Sequence, residues 1–287
     1  MPGRAVTLGD MLAEARTVLE AAGIGADEAA VDVDLYARRI LGWDRARVLT
    51  SRAEPAPAAL QPVFSAWVAR RAGREPSAYI VGHREFYGRD FEVNPAVLIP
   101  RPETEHIIEA ALPLLAAQPG ALLADLGTGS GNIAVTLACE APSCRVVATD
   151  VSADALEVAT RNAARHAVAG RVVFRCTSYL DGVDERFELI AANPPYVRDG
   201  DGPGLSPSVR REPAVALFGG ADGLRGIECV LDAVMSHLRP QGWLLMEFGF
   251  GQEDDVREAV ARHPSLRFDR VIADLQGLPR TAVVQRG

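Results

Sequence analysis

The sequence predicts an α/β protein: a doubly wound, mostly parallel sheet preceded by a helical bundle. Three observations carry this. From about residue 120, short apolar runs alternate with amphipathic stretches of helical period. A glycine-rich turn, Gly127-Thr128-Gly129-Ser130-Gly131, separates the first such run from the next helix. A later apolar run, Phe187–Ala192, stops in Asn193-Pro194-Pro195-Tyr196.

The first 80 residues read as helices. Thr7 can cap a helix with Leu8, Met11, Leu12, Ala15, Val18 and Leu19 on one face, closed by Gly23 and Gly25. A second helix is expected over about 27–41, ending at Gly42. A third opens at Pro55 and Pro57, carries Leu60, Phe64, Trp67 and Val68, and ends at Gly73. This lobe, 1–80, is close to neutral and carries no catalytic constellation, so a docking or scaffolding role is expected. Residues 83–93 read as a β-hairpin turning at Gly88, within a linker of 81–95. Pro100 and Pro102 then make a stiff corner that holds Arg101, Glu103 and Thr104, with a helix starting near Glu103.

In the third region, 96–287, strands are expected at 121–125, 145–150, 171–174, 187–192 and 243–248. Helices are expected at 132–139, 153–165, 224–238 and 252–262. Two closing strands, near 267–273 and 280–285, give the sheet an antiparallel end. Asp199–Pro207 is rich in Gly, Pro and Asp and reads as a loop.

Composition limits the function classes. The length of 287 residues suits about two domains, and 48% hydrophobic residues suit a globular core. No run approaches the ~18 apolar residues of a membrane span. Met1–Ala5 lead into no apolar signal core, so a cytoplasmic location with no membrane association is expected. The four cysteines form no CxxC pair and match no histidine spacing, which argues against zinc and for reduced thiols. A formal net charge of −8 argues against stable nucleic-acid binding, which calls for a basic face. All basic residues are arginine, a trait of base composition rather than of function.

The motifs point to a nucleoside cofactor and a planar amino group. Gly127 and Gly129 let the backbone turn tightly beside a ligand, and Gly131 lets the following helix close onto the turn. The spacing Gly-x-Gly-x-Gly differs from the dinucleotide fingerprint Gly-x-Gly-x-x-Gly. With the leading Asp125 it suits S-adenosylmethionine, which has no pyrophosphate to seat. Asp150 ends the next strand, where a carboxylate can accept both ribose hydroxyls; the competing reading is a helix N-terminal acid ahead of Ser152. At the proline turn, the Asn193 side-chain oxygen and the Pro194 carbonyl are acceptors, and Tyr196 can wall one side. A planar NH2 group donating both hydrogens fits there. The competing reading is a purely structural turn.

Taken together these stretches resemble the N5-glutamine methyltransferases of peptide chain release factors. The resemblance runs over nearly the whole chain. It includes Glu75–Gly82, Arg84–Gly88, Leu98–Glu105, the glycine loop, Asn193–Tyr196, Glu212-Pro213, Ala216-Leu217 with Gly219-Gly220, Asp222-Gly223, and Asp274, Gly277 and Arg280. It implies a class I S-adenosylmethionine-dependent methyltransferase domain behind a helical substrate-docking domain, acting on the glutamine of a Gly-Gly-Gln loop. By that resemblance Gly127, Thr128, Gly129, Ser130 and Gly131 contact the methionine part of the cofactor and Asp150 the ribose. Asn193, Pro194, Pro195 and Tyr196 hold the glutamine, with Asn193, Pro194 and Tyr196 as catalytic residues and Asn193 also facing the cofactor. The family's acidic–aromatic pair near the adenine falls on Ser178 and Tyr179. Ser178 lacks the charge, while Tyr179 can still pack on the ring. A monomer is expected. Two enzymatic alternatives stay open at this point: methylation of a glutamine in another protein or peptide, and methylation of an exocyclic amine in nucleic acid, which uses the same kind of turn. A third is a binding or scaffolding protein that keeps the fold.

Overall fold

The computed structural model describes residues 6–287. The chain forms two compact units: one runs to Gly82 and includes Pro207–Arg211, and the other holds His83–Ser206 and Glu212–Gly287.

The first unit is helical: α1 (Leu8–Ala21), α2 (Ala26–Leu41), α3 (Arg45–Thr50), α4 (Leu60–Ala72) and α5 (Ser77–Val81). Thr7 caps α1 as expected. Its hydroxyl accepts from the Asp10 N–H while the Asp10 carboxylate accepts from the Thr7 N–H, a reciprocal capping box. Gly42 ends α2 in the left-handed conformation. Helices α3 and α5 were not anticipated; with six and five residues they are too short to show a helical period. Leu8, Leu19, Tyr36, Phe64 and Ile80 form this unit's own core. Arg71 is buried in it, donating to Asp32 Oδ2 at 2.6 Å, to Glu28, and to Ser208 Oγ at 3.0 Å. Ser208 belongs to the short piece of chain, Pro207–Arg211, that packs with this unit although it follows the proline turn in sequence.

The second unit begins with the hairpin β1 (His83–Phe86) and β2 (Arg89–Glu92). It then carries α6 (Glu105–Ala116), β3 (Leu122–Leu126), α7 (Asn132–Glu140), β4 (Arg145–Asp150), α8 (Ala153–Arg165) and β5 (Val172–Cys176). There follow β6 (Phe187–Ala192), α9 (Ala214–Leu217), α10 (Arg225–His237), β7 (Leu238–Glu247), α11 (Glu253–Ala261), β8 (Leu266–Ala273) and β9 (Pro279–Arg286). The hairpin lies against this unit: Phe86 and Phe91 are buried in its core. The seven-stranded sheet has the order β5-β4-β3-β6-β7-β9-β8. Strands β3 to β7 run parallel, and β9 is antiparallel to both β7 and β8. Strand β7 starts at Leu238, earlier than the apolar run from Trp243 suggests; Arg239, Pro240 and Gln241 hide its first residues from a hydrophobicity reading. Among the described residues no helix is long and apolar enough to cross a membrane.

The strand order reverses between β3 and β6, so a crevice opens beyond their carboxyl ends. The two faces of the sheet bury separate clusters. Leu123, Leu189, Ala191 and Leu245 face α6 and α7, while Ala124, Ile190, Ala192 and Met246 face α10 and α11. This alternation decides which side each residue at the strand ends points to.

Candidate active site

The register aligns the strand ends. Leu126 pairs with Thr149 on one side and with Ala192 on the other, and Ala192 pairs with Met246. One residue further on, Asp150, Gly127, Asn193 and Glu247 therefore stand in one row across four parallel strands. A cavity of about 480 Å³ opens above this row, with Gly127, Gly129, Asp150, Tyr179, Asn193 and Pro194 in its wall. That volume suits a ligand of cofactor size.

The glycine loop shapes one side. Gly127 and Gly129 have φ of +70° and +53°, and a Cβ added at either would meet no protein atom within 4 Å. Side chains at these two positions would take up room at the cavity wall. Gly131 lies outside that wall and answers a packing need instead: a Cβ there would sit 3.1 Å from Ala159 Cβ on α8. Thr128 and Ser130 are buried. The Thr128 hydroxyl donates to Asp125 Oδ2 at 2.6 Å, and Ser130 donates to Asn132 Oδ1 at 3.3 Å.

Asp150 accepts from the Gly129 N–H at 2.9 Å through Oδ2 and from the Ser152 N–H at 2.9 Å through Oδ1. It is therefore a local turn acid and also a cavity acid. Each oxygen keeps a second lone pair, and the two backbone bonds fix the carboxylate in place. Asp125 lies beneath the loop, fully buried, with Oδ1 lacking any partner. Burial pushes its carboxyl up to about 7, against the opposing bonds from Thr128 and the Ala134 N–H, and the Asp150 charge adds to the rise.

Ser178 and Tyr179 also line the cavity, as do Val151 and Ser152. Tyr179 is held at φ +47°, and burial, with a smaller contribution from Cys229, pushes its hydroxyl up to about 12. The ring is thus an apolar surface and stays uncharged.

The turn after β6 is fixed from behind. Asn193, Pro194 and Pro195 line the cavity, but Tyr196 does not; its ring packs behind the turn, beside Gly249. The Tyr196 carbonyl accepts from Gln252 Nε2 at 3.2 Å, and the same amide donates to the Gly223 carbonyl while its oxygen accepts from the Gly249 N–H. Backbone approaches the turn closely at Gly219, Gly223 and Gly226, where a Cβ would lie 2.4 Å from the Pro195 carbonyl, 2.4 Å from the Tyr196 carbonyl and 2.7 Å from the Pro195 carbonyl. The glycines after the turn are therefore packing partners of the turn itself.

Two residues of the site escaped the sequence reading. The sequence places Thr104 only on a stiff corner, and no local motif marks Glu247. Asn193 Nδ2 donates to Thr104 Oγ1 at 3.1 Å, Thr104 donates to Glu247 Oε2 at 2.6 Å, and the Tyr196 hydroxyl donates to Glu247 Oε1 at 3.1 Å. Strand alternation explains the meeting: Asn193 and Glu247 follow Ala192 and Met246, so both face the α6 side, where Thr104 opens α6. Burial raises the Glu247 carboxyl above its ordinary range; the Thr104 and Tyr196 hydroxyls oppose this, Glu103 adds to it and Arg280 subtracts. Burial beside this acid also pushes the Tyr196 hydroxyl far up. Arg101 donates to Glu212 Oε1 at 2.5 Å, and Glu212 Oε2 accepts from the Ile99 N–H at 3.0 Å, so the Ile99–Thr104 corner is braced by a buried acid. No donor among the described residues reaches Asn193 Oδ1 or the Pro194 carbonyl.

Two outcomes test this geometry. Gly226→Ala forces a Cβ against the Pro195 carbonyl and should cost about 1–3 kcal/mol of stability in urea melts, as overpacking does; a cost under about 0.5 kcal/mol would mean the turn is free to shift. The Asp125 carboxyl keeps its proton up to about 7 when folded, against 3.8 ordinarily, so unfolding between these values releases a proton. Wild-type protein should therefore lose stability relative to Asp125→Asn as pH rises from about 4 to about 7, with the difference levelling off above that. A difference in melting temperature that does not change with pH would contradict a protonated Asp125.

The comparisons with known proteins agree with this architecture. The PrmC N-terminal domain model matches residues 10–82, and the methyltransferase small domain model matches residues 109–204. The release factor glutamine methyltransferase of Koribacter versatilis is 43% identical over 85% of this chain and 86% of its own length. That of Nitratidesulfovibrio vulgaris is 42% identical over 98% of this chain and 95% of its own. Among solved structures, a methyltransferase from Pyrococcus furiosus superposes with a TM-score of 0.53 at 20% identity, covering 78% of this chain and 100% of its own. A ribosomal protein L11 methylase from Lactobacillus delbrueckii subsp. bulgaricus gives a TM-score of 0.50 at 21% identity, covering 68% of this chain and 83% of its own. These two share the fold. By sequence over nearly its full length, the chain belongs to the release factor glutamine methyltransferase family.

Proposed function

We propose that this protein transfers a methyl group from S-adenosylmethionine to the side-chain amide nitrogen of the glutamine in the Gly-Gly-Gln motif of peptide chain release factors. The observation that carries the reading is the pair of unfilled acceptors, Asn193 Oδ1 and the Pro194 carbonyl, in the wall of a cofactor-sized cavity. An amide NH2 has two donors and a carboxylate has none, so a pair of free acceptors on adjacent residues suits an amide. Residues that would hold the cofactor are Gly127 and Gly129, whose missing side chains leave room for it, Asp150, whose remaining lone pairs suit ribose hydroxyls, and Tyr179, whose ring suits adenine.

S-adenosylmethionine supplies an activated sulfonium methyl: the N–C bond forms as the C–S bond breaks, and sulfur keeps the electron pair. The glutamine nitrogen is a poor nucleophile because its lone pair is delocalised into the carbonyl. Asn193 and Pro194 counter this in two ways. They hold the NH2 group in one orientation, which removes much of the entropic part of the barrier. They also accept both N–H bonds, which pushes electron density onto nitrogen as positive charge develops there. The excess N–H proton leaves to solvent after transfer. Tyr196 contributes from behind the turn, through its hydroxyl on Glu247.

The test is incubation of the full-length protein with S-adenosylmethionine and a release factor, followed by mass spectrometry of tryptic peptides. One added methyl group on the Gly-Gly-Gln glutamine is expected; methyl transfer only to another residue or only to nucleic acid would overturn the reading. Asn193→Ala should slow single-turnover transfer by about 10²–10³-fold with cofactor affinity little changed. Near wild-type turnover in that variant would make the turn merely structural.

A further inference from the structure

Asn193 has two chemically opposite ends, and only one of them suits an incoming NH2 group. With the oxygen toward the cavity the site accepts from an amide; with the amino group toward the cavity it donates, and a carboxylate fits better. The Asn193 side chain does not itself favour one end. The structure assigns this choice to Thr104 and Glu247, as positioning residues that turn the acceptor end of Asn193 to the substrate and so make the site select glutamine over glutamate. This rests on the function proposed above.

The hydrogens available in this cluster decide the orientation. Glu247 lies at the end of β7, 1% exposed, with one carboxylate oxygen 2.6 Å from Thr104 Oγ1 and the other 3.1 Å from the Tyr196 hydroxyl. Both hydroxyls donate to this acid, which favours its ionised form against burial, and an ionised carboxylate only accepts, so each hydroxyl gives it its single hydrogen. Thr104 then has only lone pairs left to offer the third partner, Asn193, 3.1 Å away. The Asn193 end that meets Thr104 must be the NH2 group, and the carbonyl oxygen is left to the cavity. The Tyr196 hydroxyl holds the second carboxylate oxygen, so the acid cannot swing away from Thr104. Thr104 is 1% exposed and sits where the 3-10 turn Pro102–Thr104 runs into α6, behind the corner braced by Glu212, so its hydroxyl has little freedom to turn. None of these three side chains needs to touch the substrate, and neither Glu247 nor Tyr196 lines the cavity.

The experiment uses full-length protein, S-adenosylmethionine, a release factor as substrate, and the same release factor carrying glutamate at the target position as an inhibitor. Thr104→Val keeps the shape and removes the hydroxyl. It should lower kcat by about tenfold to a hundredfold, leave the KM for the cofactor within about twofold, and bring the glutamate form's inhibition constant at least tenfold closer to the glutamine form's KM. Thr104→Ser should restore both kcat and discrimination, because the hydroxyl returns. If the valine variant does not fold, Thr104→Ala carries the same test. Unchanged discrimination in a folded variant without the hydroxyl overturns the inference, even if kcat falls, because a merely structural role lowers rate without exchanging donor for acceptor. Failure of the wild-type protein to methylate the release factor is a separate result and strikes the proposed function itself.

Discussion

Two consecutive residues without N–H groups end strand β6, and the organisation of the site follows from that constraint. Pro194 and Pro195 cannot continue a ladder, so the chain must leave the sheet at the crevice where the strand order reverses. They also bring no donor to the turn, so the Pro194 carbonyl stays unfilled beside the Asn193 amide. A turn of ordinary residues would bring its own N–H groups to these acceptors. A buried acceptor without a partner is costly, and Pro194 lies in the cavity wall, where a ligand's donor can supply one.

A turn with so few hydrogen bonds of its own has to be held by its surroundings. Gln252 ties its last carbonyl to two neighbouring loops, and backbone packs against it at Gly219, Gly223, Gly226 and Gly249, where a Cβ would come within 3.0 Å of a neighbouring atom. The same logic extends to Thr104 and Glu247, which hold the side chains of Asn193 and Tyr196. Rigidity here has a functional reason, since an amide must be aligned with the methyl it receives and small displacements are expensive in rate. The glycine loop and Asp150 follow a related pattern: Asp150 is anchored by two backbone N–H groups while its remaining lone pairs stay open to the cavity.

Much of this was legible in the sequence because the signals are local. The proline stop, the glycine turn, Asp150 at a strand end and the alternation of strands and helices each announce themselves within a few residues. The parallel sheet with an antiparallel end followed directly. What could not be read depends on register. Glu247 is one acid at the end of an apolar strand, and nothing near it in sequence says that it stands beside Asn193; only the pairing of Ala192 with Met246 does. Alternation along β7, taken together with a guessed strand order, would have been the signal to look for. Tyr196 read as a wall of the site because an aromatic beside a turn usually is one, whereas its hydroxyl draws it toward a buried acid. The hairpin was visible as a hairpin, but Phe86 and Phe91 reveal the surface they bury against only in three dimensions. The stretch Pro207–Arg211 follows the Asp199–Pro207 loop, and its packing with the helical unit through Ser208 has no sequence signature.

The two open acceptors are tested most directly by a crystal structure of the protein with S-adenosylhomocysteine and a release factor fragment carrying the unmethylated Gly-Gly-Gln loop. The glutamine side-chain nitrogen is expected within about 2.7–3.2 Å of both Asn193 Oδ1 and the Pro194 carbonyl oxygen. A glutamine whose carbonyl oxygen faces Asn193, or whose nitrogen rests on a carboxylate instead of on these two oxygens, would contradict it.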